Sequence, residues 1–236
     1  SFDGKKFVNE SPTQTKWLDW GKDNYATVTW SNAPAGRCIA LGWMSNWQYA
    51  NNVPTTQYRS ANTIARDQTL YRVGNELYLK SKPSPEIEKA RVEKVDKSSF
   101  KVAGKYEIES LLRDNDGAYE IEMTIENAGA SKMAFCLINA KGEKVSMYYD
   151  VLRKQFAMDR IQIGAVDFSR DFPALTVATV DNAEKIHLRL FVDRCSVEAF
   201  GENGRYAMTN LVFPSDTYNK MTFESDKKSF IVKSLK

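Results

Sequence analysis

Residues 120–127, EIEMTIEN, place Ile121, Met123 and Ile125 on one side of an extended chain and Glu120, Glu122, Thr124 and Glu126 on the other. Alternation with a period of two is the pattern of a β-strand with one dry and one wet face. A strand wetted on one side belongs in an antiparallel sheet. Residues 185–192, KIHLRLFV, repeat the pattern with Ile186, Leu188, Leu190 and Val192. Further short strands are predicted at 132–140, 144–150, 175–180, 206–213 and 229–235. Turn residues separate them: Asp116-Gly117, Gly129, Lys141-Gly142, Asn182 and Asn203-Gly204. Residues 96–236 therefore read as a two-sheet β-sandwich.

Upstream of this unit, residues 83–95 carry Pro83 and Pro85 and then a short charged run, which predicts a linker with one helical turn and a solvated face. Residues 1–82 have another texture. Strand candidates at 24–30, 38–44, 60–71 and 76–82 follow one another, with a long loop, SNWQYANNVPTTQYR, between the second and the third. Four antiparallel strands per unit is the count of a β-propeller blade. A blade buries its faces against neighbouring blades, and no second copy of the pattern occurs in the chain. The fold class is thus all-β, a lone blade followed by a sandwich.

Composition narrows the function. The 236 residues are 42% hydrophobic, enough for a sizeable core. With 33 basic and 30 acidic side chains scattered along the chain, the net charge of +3 leaves no footprint for a nucleic-acid backbone or an anionic membrane. No apolar run approaches a membrane span, and the first residues, SFDGKKFVNE, lack the apolar segment of a signal peptide, so a mature or excised piece stays open. Cys38, Cys136 and Cys195 are odd in number and widely spaced, which predicts small buried hydrophobes rather than disulfides or a zinc knuckle. His187, the sole histidine, lies out of phase with Ile186 and Leu188 and has no second ligand at metal-binding spacing. Asp193 and Glu198 flank a turn, where carboxylates cap backbone N–H groups or pair with an arginine such as Arg194 or Arg205.

Aromatic and polar residues are interleaved in residues 19–50, DWGKDNYATVTW followed by CIALGWMSNWQYA. These segments, with SFDGKKF at the start, the run to Leu70-Tyr71 and LRLFVDRCSVEAFGENGRYAMTNLVFP near the end, resemble the C-terminal half of glycoside hydrolase family 32, the levanases, inulinases and invertases. The resemblance spans nearly the whole chain. It implies the end of a five-bladed propeller that bears the active site, followed by a sandwich. Members are retaining glycosidases with an aspartate nucleophile in Trp-Met-Asn-Asp-Pro, a glutamate acid/base in Glu-Cys, and a substrate-holding aspartate in Arg-Asp-Pro. None of these motifs is present. WMSNW has Asn46 and neither carboxylate nor proline after it; Arg66-Asp67, Arg113-Asp114 and Arg170-Asp171 lack the proline; Arg194 precedes Cys195. No catalytic residue, metal or cofactor is expected in this chain.

A sugar pocket needs flat aromatic surface for the C–H face of the ring and fixed hydrogen-bonding groups for its hydroxyls. The resemblance implies that Trp43 lines the fructosyl pocket with Trp47 nearby, and that Asp19 and Lys22 stand on the rim. Trp17, Trp20 and Trp30 are expected to pack between blades. Three functions stay open: a part of a fructan or sucrose hydrolase, inactive alone and completed by the rest of the propeller; a lectin-like carbohydrate-binding module; or a bracing or oligomer-forming module. The resemblance also implies a secreted, periplasmic or cell-surface protein. The missing neighbours predict self-association through residues 1–80, with residues 96–236 folding alone.

Overall fold

The computed structural model describes residues 1–9, 11–109, 111–112, 115–181 and 183–236. Arg113-Asp114 and the turn residue Asn182 lie outside them. The first sheet comprises β1 (Tyr25–Thr29), β2 (Cys38–Met44), β3 (Ala61–Asn62), β4 (Arg66–Val73) and β5 (Glu76–Pro83), in the order β1-β2-β4-β5 with β3 also on β2. The run predicted as one strand over 60–71 is therefore two. Asn62 pairs with Trp43, Arg66 pairs with Ala40, and between them the buried Thr63 accepts the Gly42 N–H on its hydroxyl at 3.0 Å. The Thr63 N–H donates to the Gly42 carbonyl at 3.0 Å as well, so the two bonds together tie the chain to β2 between the paired stretches. Pro85–Ala90 then forms a 3-10 segment between the two sheets.

The remaining strands are β6 (Phe100–Ile108), β7 (Tyr119–Ala128), β8 (Lys132–Ile138), β9 (Lys144–Asp150), β10 (Gln155–Asp159), β11 (Leu175–Thr179), β12 (Lys185–Asp193), β13 (Ser196–Gly201), β14 (Tyr206–Leu211) and β15 (Lys220–Leu235). They make one sheet, β11-β10-β9-β8-β15-β7-β12-β13-β14, with β6 also on β15. The sixteen-residue β15 turns this sheet into two layers. Its first part pairs with β8 and its last part with β7. Ile121, Met123 and Ile125 of β7 and Ile186, Leu188 and Leu190 of β12 are fully buried in one core with Met133, Phe135, Leu137, Met147, Tyr149 and Phe156. The free edges approach each other, where Asn210 of β14 donates to Thr176 of β11 at 2.9 Å. The alternation thus predicts the sandwich correctly. His187 stands on the outer face of β12 and meets Glu122 at 2.9 Å.

Two features depart from the expectations. Cys38 is exposed at the start of β2, and Cys136 and Cys195 are half-buried. Cys136 takes the outward phase of β8 between the buried Phe135 and Leu137, and Cys195 sits at the β12–β13 turn, so none of the three is a fully buried hydrophobe. More consequentially, every residue of β13 and β14 is buried, although a sandwich strand normally wets one face. The blade covers them. Residues 20–23 run along the edge of β14, with Trp20 N–H donating to the Ala207 carbonyl at 2.8 Å and Asp23 N–H to that of Thr209 at 3.1 Å. Gly21 permits this approach, because a Cβ there would lie 1.9 Å from the Thr209 carbonyl oxygen. One face of the blade is therefore covered by the sandwich. On its outer surfaces Trp17, Tyr25, Val28, Trp30 and Leu70 are all more than half exposed.

Candidate functional site

Trp43 occupies the end of β2, between Tyr25 of β1 and Asn62 of β3. A register shift in β1 after Tyr25, where Ala26 takes a φ of +48°, sets Tyr25 opposite Trp43. The two rings meet edge-on at 6.0 Å. On the other side Trp47 tilts against Trp43 with centroids 4.9 Å apart. Trp47 is 66% exposed and Trp43 half-buried, so the trio presents an open aromatic wall. Gly42 leaves space beneath it for Asn24, whose Oδ1 would lie 2.1 Å from a Cβ at that position. Asn24 in turn accepts from Thr27 at 2.6 Å and donates to Asp19 at 3.2 Å.

Lys22 lies on the adjoining strap. Its amine donates to the Asp171 carbonyl at 2.6 Å and stands 5.6 Å from the Tyr49 ring centroid. Burial, with the neighbouring Arg160 charge, lowers the Lys22 amine from its ordinary range. Loop 45–53 folds back against the sandwich. There the buried Tyr49 hydroxyl donates to Asp23 at 2.6 Å and accepts from Arg160 at 2.8 Å. Burial first, and the Asp23 charge second, push that hydroxyl up and keep it a donor.

Asp19 is not a rim group. Its side chain is 4% exposed and accepts from Arg66 and the Thr209 hydroxyl, each at 2.7 Å, and from the N–H groups of Gly21 and Thr209, each at 2.8 Å. The second arm of Arg66 reaches Glu198 on β13 at 2.7 Å, and Glu198 also accepts the Ile64 N–H at 2.9 Å. Asp19, Arg66 and Glu198 thus form a buried lock between blade and sandwich. Burial raises the Glu198 carboxyl despite the Arg66 charge. For Asp19 burial pulls the same way but is outweighed by Arg66 and the Thr209 donors, which hold that carboxyl below its ordinary range. Glu198 accordingly has the structural employment predicted for it, but with Arg66 rather than Arg194 or Arg205. Asp193 accepts the Arg194 N–H at 2.7 Å. Trp20 packs on the sandwich core, and Trp17 and Trp30 lie exposed on the blade.

A cavity of about 970 Å³ lies elsewhere, between the β3 edge, the linker and the outer face of β7 and β12; neither Trp43 nor Trp47 lines it. Glu120, Glu122 and Glu198 in its wall are engaged by Arg189, His187 and Arg66 respectively. No local spacing marks the pairings of Arg66, Tyr49 and Arg160, because their partners are far along the chain.

The model of the glycosyl hydrolase family 32 C-terminal domain matches residues 86–236, and that of the family's N-terminal domain matches residues 1–83. The chain belongs to glycosyl hydrolase family 32. Among family 32 relatives, a levanase of Bacillus subtilis is 33% identical over 99% of this chain and 36% of its own length. An extracellular exo-inulinase of Aspergillus awamori is 28% identical over 91% of the chain and 42% of its own. The crystal structure of an A. awamori exo-inulinase superposes on all of the chain with a TM-score of 0.83 at 25% identity, over 48% of that structure. A β-fructofuranosidase of Schwanniomyces occidentalis, solved with fructosyl-erythritol, does so with a TM-score of 0.77 at 25% identity, over 52%. The chain thus spans between a third and about half of the length of these family 32 proteins. No helix among the described residues is long and apolar enough to cross a membrane.

Proposed function

We propose that the chain is the C-terminal portion of a retaining glycosidase that cleaves β-fructofuranosidic bonds of levan, inulin or sucrose. The observation that carries this reading is the end-to-end match of both family domains, in order, on one chain. Trp43 offers its face to the C–H surface of a fructosyl unit, Trp47 extends that wall, and Lys22 supplies a donor at its margin. Asp19 serves the blade–sandwich lock instead. Retaining hydrolysis needs two carboxyl groups about 5–5.5 Å apart across the scissile bond. The motifs that carry them in the family are absent from this sequence, so the rest of the propeller supplies them and the sandwich braces the last blade. The relatives' extracellular setting supports a secreted, periplasmic or cell-surface location. Purified chain incubated with levan, inulin or sucrose is expected to release no fructose; reproducible release above a heat-killed control would overturn the assignment.

We also infer that the exposed outer surfaces of the blade, with Trp17, Val28, Trp30 and Leu70, are the seat of the neighbouring propeller elements. Alone, so many exposed large apolar groups favour association. In sedimentation, residues 1–236 are expected to form dimers or larger species. Replacing Trp30 and Leu70 by serine should shift the population toward monomer. A strictly monomeric wild-type chain would show that these residues need no cover.

A further inference from the structure

Trp47 is too exposed for burial to fix it against Trp43, so its position depends on how the flanking loop is tied down. On one flank Asn46 donates to the Lys22 carbonyl at 2.9 Å and accepts the Gln48 N–H at 3.0 Å. The N–H groups of Tyr49 and Ala50 close onto the Asn46 carbonyl at 3.1 and 2.8 Å. On the other flank the Tyr49 hydroxyl is held between Asp23 and Arg160. Arg160 is fully buried and belongs to the sandwich, where its N–H donates to the Ala174 carbonyl at 3.0 Å. Its Nε donates to the Phe172 carbonyl at 2.8 Å, and its Nη1 to Asp23 at 2.5 Å and to the Leu211 carbonyl at 3.1 Å. The guanidinium plane lies 4.0 Å from the Phe172 ring centroid. A planar fork engaged on so many sides has little freedom, and it transmits that rigidity to whatever its remaining arm holds. That arm, Nη2, holds Tyr49.

We propose that Arg160 of the sandwich is a positioning residue for the aromatic wall of the blade, setting the Trp43–Trp47 geometry through Tyr49 and Asp23. A buried ion pair is weak evidence for stability in itself, but it specifies geometry when its donors are fully committed. The sandwich then shapes the substrate wall without touching the sugar. The same side of the sandwich aims Lys22 through the Asp171 carbonyl. The inference rests on the proposed role of Trp43 and Trp47 only where it concerns substrate; the geometry is testable without any sugar.

Two indoles this close couple their excited states, and the coupling falls steeply with separation and orientation. The test is the far-ultraviolet exciton couplet of the 236-residue chain, with Trp47→Phe as the zero reference. Arg160→Lys keeps a cation beside Asp23 but gives up the fork. Tyr49→Phe removes the hydroxyl and keeps the ring packing on Phe172. Both variants are expected to lose the couplet to the level of Trp47→Phe, and Tyr49→Phe should do so while still unfolding cooperatively in urea, at a midpoint lowered by the loss of its buried hydrogen bonds. If Arg160→Lys does not fold, Tyr49→Phe decides alone. A couplet retained in the folded variants overturns the proposal. In the longer hydrolase the same substitutions should raise KM at little change in kcat. Loss of the couplet with unchanged KM would leave the positioning role standing and overturn the substrate-wall reading instead.

Discussion

Replacing Arg66 by methionine is expected to destabilise the chain by about 3–5 kcal/mol, the usual consequence of removing one partner from a buried ion pair. Arg66 is 2% exposed, and its two arms neutralise Asp19 and Glu198 across the blade–sandwich boundary. Methionine fills much of the volume but leaves two carboxylates in a dry interface, with Thr209, Gly21, Ile64 and Asn24 as their remaining donors among the described residues. Urea denaturation of the 236-residue chain would measure the loss. Two comparisons make the cause specific. Arg37, which pairs with Asp67 and Glu86 near the surface, should tolerate the same change far better. Adding Asp19→Asn and Glu198→Gln to Arg66→Met should recover part of the stability, because the uncompensated charges are gone. If Arg66→Met were no more costly than Arg37→Met, the lock would not hold the two units together.

The sandwich was legible because burial of a single face imprints a period of two, as in Ile121-Met123-Ile125 against Glu120-Glu122-Thr124. The same logic fails at β13 and β14. Both faces of SVEAFG and YAMTNL are buried, one by the sandwich core and one by the blade, so Glu198, Thr209 and Asn210 interrupt the apolar pattern while lying inside the protein. Their partners explain them, but Arg66 is 132 residues from Glu198 and 143 from Thr209, and no local spacing marks such a pair. The split of the third blade strand was hidden for a related reason, since it lies at the two Thr63–Gly42 bonds, one of them to a side chain.

Legibility of the site was uneven in the same way. Trp43 and Trp47 stand out by family resemblance, and the structure brings their rings together with Tyr25. Asp19, next to Trp20 and near Lys22 in the chain, reads as a polar rim group until Arg66 is seen beside it. Tyr49 reads as one more loop aromatic, although its hydroxyl joins the loop to Asp23 and to Arg160. The expectation of uncovered blade faces is met on the outside, whereas the inner face is covered through polar groups that a search for apolar surface passes over.

The proposed seat of the fructosyl unit is the aromatic wall at the end of β2, and one substitution probes it without disturbing the sheet. In the proposed full-length hydrolase, Trp43→Ala would delete the surface assigned to the sugar ring, while the register of β2 with β1 and β3 rests on backbone pairing and should persist. Small misplacement of a bound substrate costs on the order of 100-fold in rate. The measurement is kcat/KM on levan, inulin and sucrose for the wild type and Trp43→Ala, with thermal melting as a check that both are folded. A fall of about 100-fold or more on whichever of these is the substrate, at nearly unchanged melting temperature, is the predicted result. A folded Trp43→Ala enzyme with unchanged kcat/KM would rule out that role and make Trp43 a packing residue.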